Sequence, residues 1–119
     1  MKNGVAAVYY TTTGNIEILN KIAGEKMPTI GGVEKRIFRV EMVKVKFMQN
    51  GKNVRSDKEI PTQYGIKRML KNSASVSDLI RIRLKPQFPG FDFIVLKNDG
   101  HQASGQTKLS TVRDTFLDN

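Results

Sequence analysis

The sequence predicts an α+β domain: a small antiparallel sheet built from two hairpins plus an N-terminal strand, with two or three short helices on one face. Three observations predict it. Short segments rich in Val, Ile, Tyr, Thr and Phe alternate in polarity as half-buried strands do. Asn50-Gly51 and Pro89-Gly90 punctuate them as hairpin turns would. Apolar residues at helical spacing fall between the hairpins and after them.

Residues 5–12 carry Val, Tyr and Thr and read as the N-terminal strand. Ile16, Leu19, Ile22 and Ala23 then recur at helical spacing, with Asn15 as N-cap and Gly24 as stop, although Ile16 and Ile18 also alternate as a strand would. Residues 24–34 read as a loop around Pro28 and Gly31-Gly32. Residues 36–49 read as the clearest strand. Phe38, Val40 and Met42 share one parity, whereas Val43, Val45 and Phe47 share the other, so a β-bulge near Met42-Val43 is expected.

Asn50-Gly51 predicts a type I′ turn, since both residues tolerate positive φ. A two-residue loop pairs Gln49 with Lys52, Phe47 with Val54, Lys46 with Arg55 and Lys44 with Asp57. The Lys46–Arg55 pair sets like charges opposite one another, which costs stability unless an anion lies nearby. Beyond Pro61, Thr62 caps an expected short helix with Ile66, Met69 and Leu70 as its apolar stripe. Residues 72–77 read as a polar loop. Ile80, Ile82 and Leu84 alternate with Arg81, Arg83 and Lys85, so residues 78–85 read as a strand. Residues 91–97 close a second hairpin with it, and residues 98–100 turn again. Leu109, Val112, Phe116 and Leu117 predict a C-terminal helix.

The 119 residues suit a single domain spanning 1–119, long enough to bury a core without staples. Cysteine is absent, which excludes disulfides and thiolate metal sites. No apolar run approaches the ~20 residues that span a bilayer, and residues 5–10 are too short for a signal-peptide core. The expected setting is cytoplasmic, with no membrane partner. The net charge is +9, and it is segregated: residues 36–85 hold thirteen Lys and Arg against four acids, whereas the flanks carry +1 and −1. Such segregation predicts a cationic face.

That face is the candidate site. Arg39, Lys44, Lys46 and Arg55 fall on the polar side of the first hairpin, and Arg81, Arg83 and Lys85 on that of the second. Lys67, Arg68 and Lys71 are auxiliary, on the outer side of the expected helix. Several cations on one surface engage a phosphate backbone together and gain affinity from released counterions. The expected function is therefore non-catalytic binding of nucleic acid, DNA or RNA. The alternative is an interaction module, inhibitor or subunit that meets an acidic protein, because a carboxylate attracts arginine by the same physics. Exposed strand edges also allow a homo-oligomer. No family signature stands out, as suits a fast-evolving viral or mobile-element source.

Stacking aromatics are sparse. Phe38 and Phe47 fall on the apolar parity and are expected in the core, whereas Tyr64, Phe88 and Phe91 lie at element ends. No catalytic set is expected: His101 is the only histidine, in a turn. Asp57 with Glu59, or Asp92 with Asp99, are better explained by ion pairing and turn formation than by a metal. No cofactor is expected, as no P-loop, dinucleotide fingerprint or nucleophile elbow occurs. The acidic-apolar C-terminal residues 114–119 suit a helix docked on the core.

Overall fold

The structure of the protein is a computed structural model, and it describes residues 27–117. The expected N-terminal strand at residues 5–12 and the helix at 15–23 lie outside the described residues.

The first described element is a helix, α1 (Ile30–Glu41), where a loop and then a strand were expected. Thr29 caps it by accepting a hydrogen bond from the Gly32 N–H at 3.1 Å. Its buried side is Ile30, Val33, Ile37 and Glu41, spaced by three and four residues. The helix ends on Met42, in the left-handed conformation at φ 59°, whose N–H bonds the Phe38 carbonyl at 2.8 Å. The change of parity at Met42-Val43 therefore marks a helix passing into a strand, not a β-bulge.

Strand β1 (Lys44–Gln49) turns back through Asn50-Gly51 into β2 (Lys52–Asn53). Both turn residues have positive φ, 54° and 76°, as a type I′ turn requires. The expected register holds, with Gln49 opposite Lys52 and Met48 opposite Asn53. Val54 still donates to the Phe47 carbonyl at 3.0 Å. The reciprocal Phe47 N–H, however, donates to the Glu34 carboxylate at 2.9 Å. A side chain from α1 thus takes the donor that a longer hairpin would have used, and β2 stops after two residues.

The chain then turns toward the start of α1. Ile30 and Gly31 donate their N–H groups to the Lys58 and Ser56 carbonyls, each at 2.8 Å. The expected Lys46–Arg55 and Lys44–Asp57 pairs do not form, because the ladder has already ended.

No helix forms over residues 61–73. Ser75 opens the next one through a reciprocal capping box with Asp78. A continuous helical rod follows: α2 (Val76–Leu79), a wide π-turn segment (Ile80–Leu84) and α3 (Lys85–Gln87). Residues 78–85 are therefore helical rather than a strand, and the second hairpin does not exist. In the π segment the Lys85 N–H reaches back five residues to the Ile80 carbonyl. Pro86, which has no N–H to give, sits just beyond it.

Strand β3 (Asp92–Leu96) falls where expected but pairs antiparallel with β1, Phe47 opposite Phe93 and Val45 opposite Val95. The sheet order is β2-β1-β3. Helix α4 (Leu109–Leu117) closes the fold at the predicted place, burying Leu109 and Val112. The described residues thus form a small, compact α+β unit around a three-stranded antiparallel sheet. Its core packs Phe47 edge-on against Phe88, Phe91 and Phe93, with centroids 4.9 to 5.3 Å apart. Such pairs add about 0.5–1.5 kcal/mol each beyond area burial. Among the described residues, no helix is long and apolar enough to cross a membrane.

Candidate nucleic-acid interface

The ten predicted basic residues divide into three groups. Four are matched by carboxylates. Arg55 grips Asp57 with two bonds of 3.1 and 2.8 Å. Arg81 meets Asp78 at 3.0 Å, and Lys85 meets Asp92 at 3.0 Å. Lys46 is half-buried beside Glu34 at 3.5 Å. The bond from Arg55, and then its charge, hold the Asp57 carboxyl below its usual range. For Asp78 the Ser75 backbone N–H is the larger cause, with Arg81 second. A phosphate approaching any of these cations also meets the partner carboxylate, which lowers the gain.

Arg83 forms a group of its own, turned inward rather than displayed. Its Nη1 donates to Glu41 at 2.6 Å, and that carboxylate is completely buried. Arg113 also donates to Glu41, from Nη2 at 3.4 Å, and its Nε binds the Glu41 backbone carbonyl at 2.8 Å. The Tyr64 hydroxyl and the Leu70 N–H complete the set, at 2.5 and 2.8 Å. Glu41 lies in the last turn of α1, where the helix dipole disfavours a negative charge. Two guanidiniums offset both that and the loss of water. Burial draws Arg83 down, but the bond and charge of Glu41 outweigh it and raise the group. Burial dominates at Arg113 and lowers it.

This node fixes the segment that carries the third group. Residues 61–73 lack regular structure, so side chains supply partners for their backbone. Arg36 Nε donates to the Tyr64 carbonyl at 2.9 Å, and the Gly65 N–H donates to Gln87 at 2.9 Å. Arg83 holds the Arg68 carbonyl, and Glu41 holds the Leu70 N–H. Asn72 receives Arg113 Nη1 at 2.7 Å. The pinned stretch leaves the side chains of Lys67, Arg68 and Lys71 exposed. Residues 60–77 contain these three cations and no acid. Arg39 on α1 and Lys44 at the start of β1 are exposed too. None of these five has a carboxylate within ion-pairing distance among the described residues.

The expected single sheet face is thus not assembled. Arg39, Arg81, Arg83 and Lys85 lie on helical elements, Arg55 follows β2, and Lys44 and Lys46 alone lie in a strand. Among the aromatics, Phe47 is buried as expected, whereas Phe38, expected in the core, is 40% exposed; Tyr64 and Phe88, at element ends, are buried and Phe91 is half-buried. Sequence reading also passed over Arg36, because the strand assignment hid that it faces residue 64 from a helix. No group of three or more His, Asp or Glu among the described residues is placed to hold a metal ion.

Comparison of the chain with protein-family models, with curated proteins and with solved structures finds no match.

Proposed function

We propose that the protein is a non-catalytic nucleic-acid-binding module that contacts the phosphate backbone. The surface differs from the one the sequence suggested. Its centre is the pinned segment bearing Lys67, Arg68 and Lys71, with Arg39 and Lys44 contributing. The observation that carries this reading is the partition of charge: these five cations are exposed and unmatched by described carboxylates, whereas Lys46, Arg55, Arg81 and Lys85 are matched. An unmatched cation on a fixed backbone releases counterions on binding without first giving up an intramolecular partner. Few backbone contacts of this kind bring little base specificity.

Salt-titrated fluorescence anisotropy with labelled single- and double-stranded DNA and RNA tests the reading. Affinity that falls steeply with salt supports it, and the preferred ligand names the substrate class. Absence of binding to all four at low salt rules it out.

A second reading has its own supporting observation. Met69, within the cationic segment, is 41% exposed, and Ile82, beside Arg81, is 50% exposed. Apolar groups set among cations suit an acidic protein partner that also carries apolar side chains. One saturable protein ligand, with no response to heterogeneous nucleic acid, distinguishes this case.

A further inference from the structure

Phe38 is the one aromatic among the exposed large apolar side chains of the described residues. It lies on α1, one residue after the buried Ile37, and is 40% exposed. A phenyl ring gains by burial, and the core accommodates every neighbouring apolar residue of α1 that faces it. The Phe38 ring is nevertheless held in a defined attitude. Phe116 of α4 meets it edge-on, with centroids 5.2 Å apart and planes at 70°. Such a T-shaped contact uses the ring's edge or one side and holds it in place without covering it.

The surroundings of this ring are cationic. Lys35, one turn earlier on α1, and Arg39, the next residue, are both exposed, with no described carboxylate within ion-pairing distance. Both acids of the helix are committed elsewhere: Glu34 accepts from the Phe47 N–H at 2.9 Å and from Lys46 at 3.5 Å, and Glu41 accepts from Arg83, Arg113 and Tyr64. A half-exposed aromatic ring, braced by Phe116 and flanked by uncommitted cations, matches what an unpaired nucleotide offers, a flat π-face and a phosphate. We infer that Phe38 is a base-stacking platform, with Lys35 and Arg39 receiving the adjoining phosphates, so that the partner is single-stranded nucleic acid. This rests on the nucleic-acid reading and narrows it. A duplex keeps its bases stacked on one another and presents no free face to a ring on a helix surface.

The chain contains no tryptophan, so Phe38→Trp places a single Trp at the platform, excited selectively over the three tyrosines. The probe is a short single-stranded oligonucleotide of mixed sequence, with its duplex as comparison. The expected results are quenching of Trp emission by the single strand and weaker single-strand affinity in Phe38→Ala, by about 5- to 150-fold. Phe38→Leu keeps an apolar contact for Phe116 but has no π-face, so it should lose affinity like the alanine variant while retaining the wild-type melting temperature. If wild type binds the single strand but neither variant weakens it and the Trp is not quenched, stacking is overturned and the phosphate reading stands. Failure of the wild-type protein to bind overturns both.

Discussion

Arg83 and Glu41, 42 positions apart in the chain, meet at 2.6 Å around a carboxylate with no exposure to solvent. The contact ties the end of α1 to the π-turn segment. Through Arg113, Tyr64 and Leu70 it also ties in α4 and the irregular stretch between. Removing the carboxylate leaves two guanidiniums unpaired, one of them buried, so Glu41→Ala should cost about 3–5 kcal/mol in urea unfolding. Glu41→Gln keeps the shape but not the charge and should lose most of that. A loss within about 0.5 kcal/mol, the range of an ordinary surface substitution, would contradict the role assigned to the node.

Gly31 sits where the chain from residue 56 crosses the start of α1. A Cβ placed there would stand 3.0 Å from the Ser56 Cβ and 3.2 Å from its carbonyl oxygen. Helix propensity alone favours Gly31→Ala by at most about 1 kcal/mol, the value of a helix interior, since Gly31 lies in the first turn. Crowding of this kind costs about 1–3 kcal/mol. The variant should therefore be less stable than wild type. Gly65→Ala, whose added Cβ makes an ordinary 3.7 Å contact with Gln87, should be close to neutral. A more stable Gly31→Ala would show that the crossing chain yields easily.

Tyr64 makes stability depend on alkali. Burial first, then the bond to and charge of Glu41, hold its phenol above the usual 10.0, with Arg83 opposing. The folded state therefore favours the neutral phenol. Its contribution is fully present below the unfolded value near 10 and is lost as pH rises beyond it. Urea midpoints of wild type should fall more steeply above that pH than those of Tyr64→Phe, which starts lower because Glu41 loses a donor. Parallel curves would remove Tyr64 from the account.

The parts of the fold that sequence reading located are those with local signals. Asn50-Gly51 sets its hairpin through positive φ, and residues 92–96 and 109–117 show clean periods of two and of three to four. The misread parts break those periods for physical reasons. The apolar stripe of α1 ends on a charged residue, Glu41, so the helix showed fewer apolar positions than it buries. The rod over residues 76–87 buries Leu79 and then Leu84, a five-residue step that the π segment produces and a regular α-helix does not. Ile80, Ile82 and Leu84 therefore mimic a strand, although Ile82 is 50% exposed. The short β2 was not legible either, because the group that ends it, Glu34, lies on another element. In the candidate site, Lys67, Arg68 and Lys71 were legible as cations. Which cations carry carboxylate partners depended on tertiary contacts.

Two variants of equal charge test the distinction between matched and unmatched cations. One carries Lys67→Gln, Arg68→Gln and Lys71→Gln; the other carries Arg55→Gln, Arg81→Gln and Lys85→Gln. Each removes three positive charges, so net charge does not account for a difference between them. The measurement is the slope of log affinity against log salt concentration for a labelled oligonucleotide. The first variant should lose about two from the slope and at least about tenfold in affinity, and the second less than about one from the slope. Equal losses, or a larger loss in the second variant, would contradict that distinction.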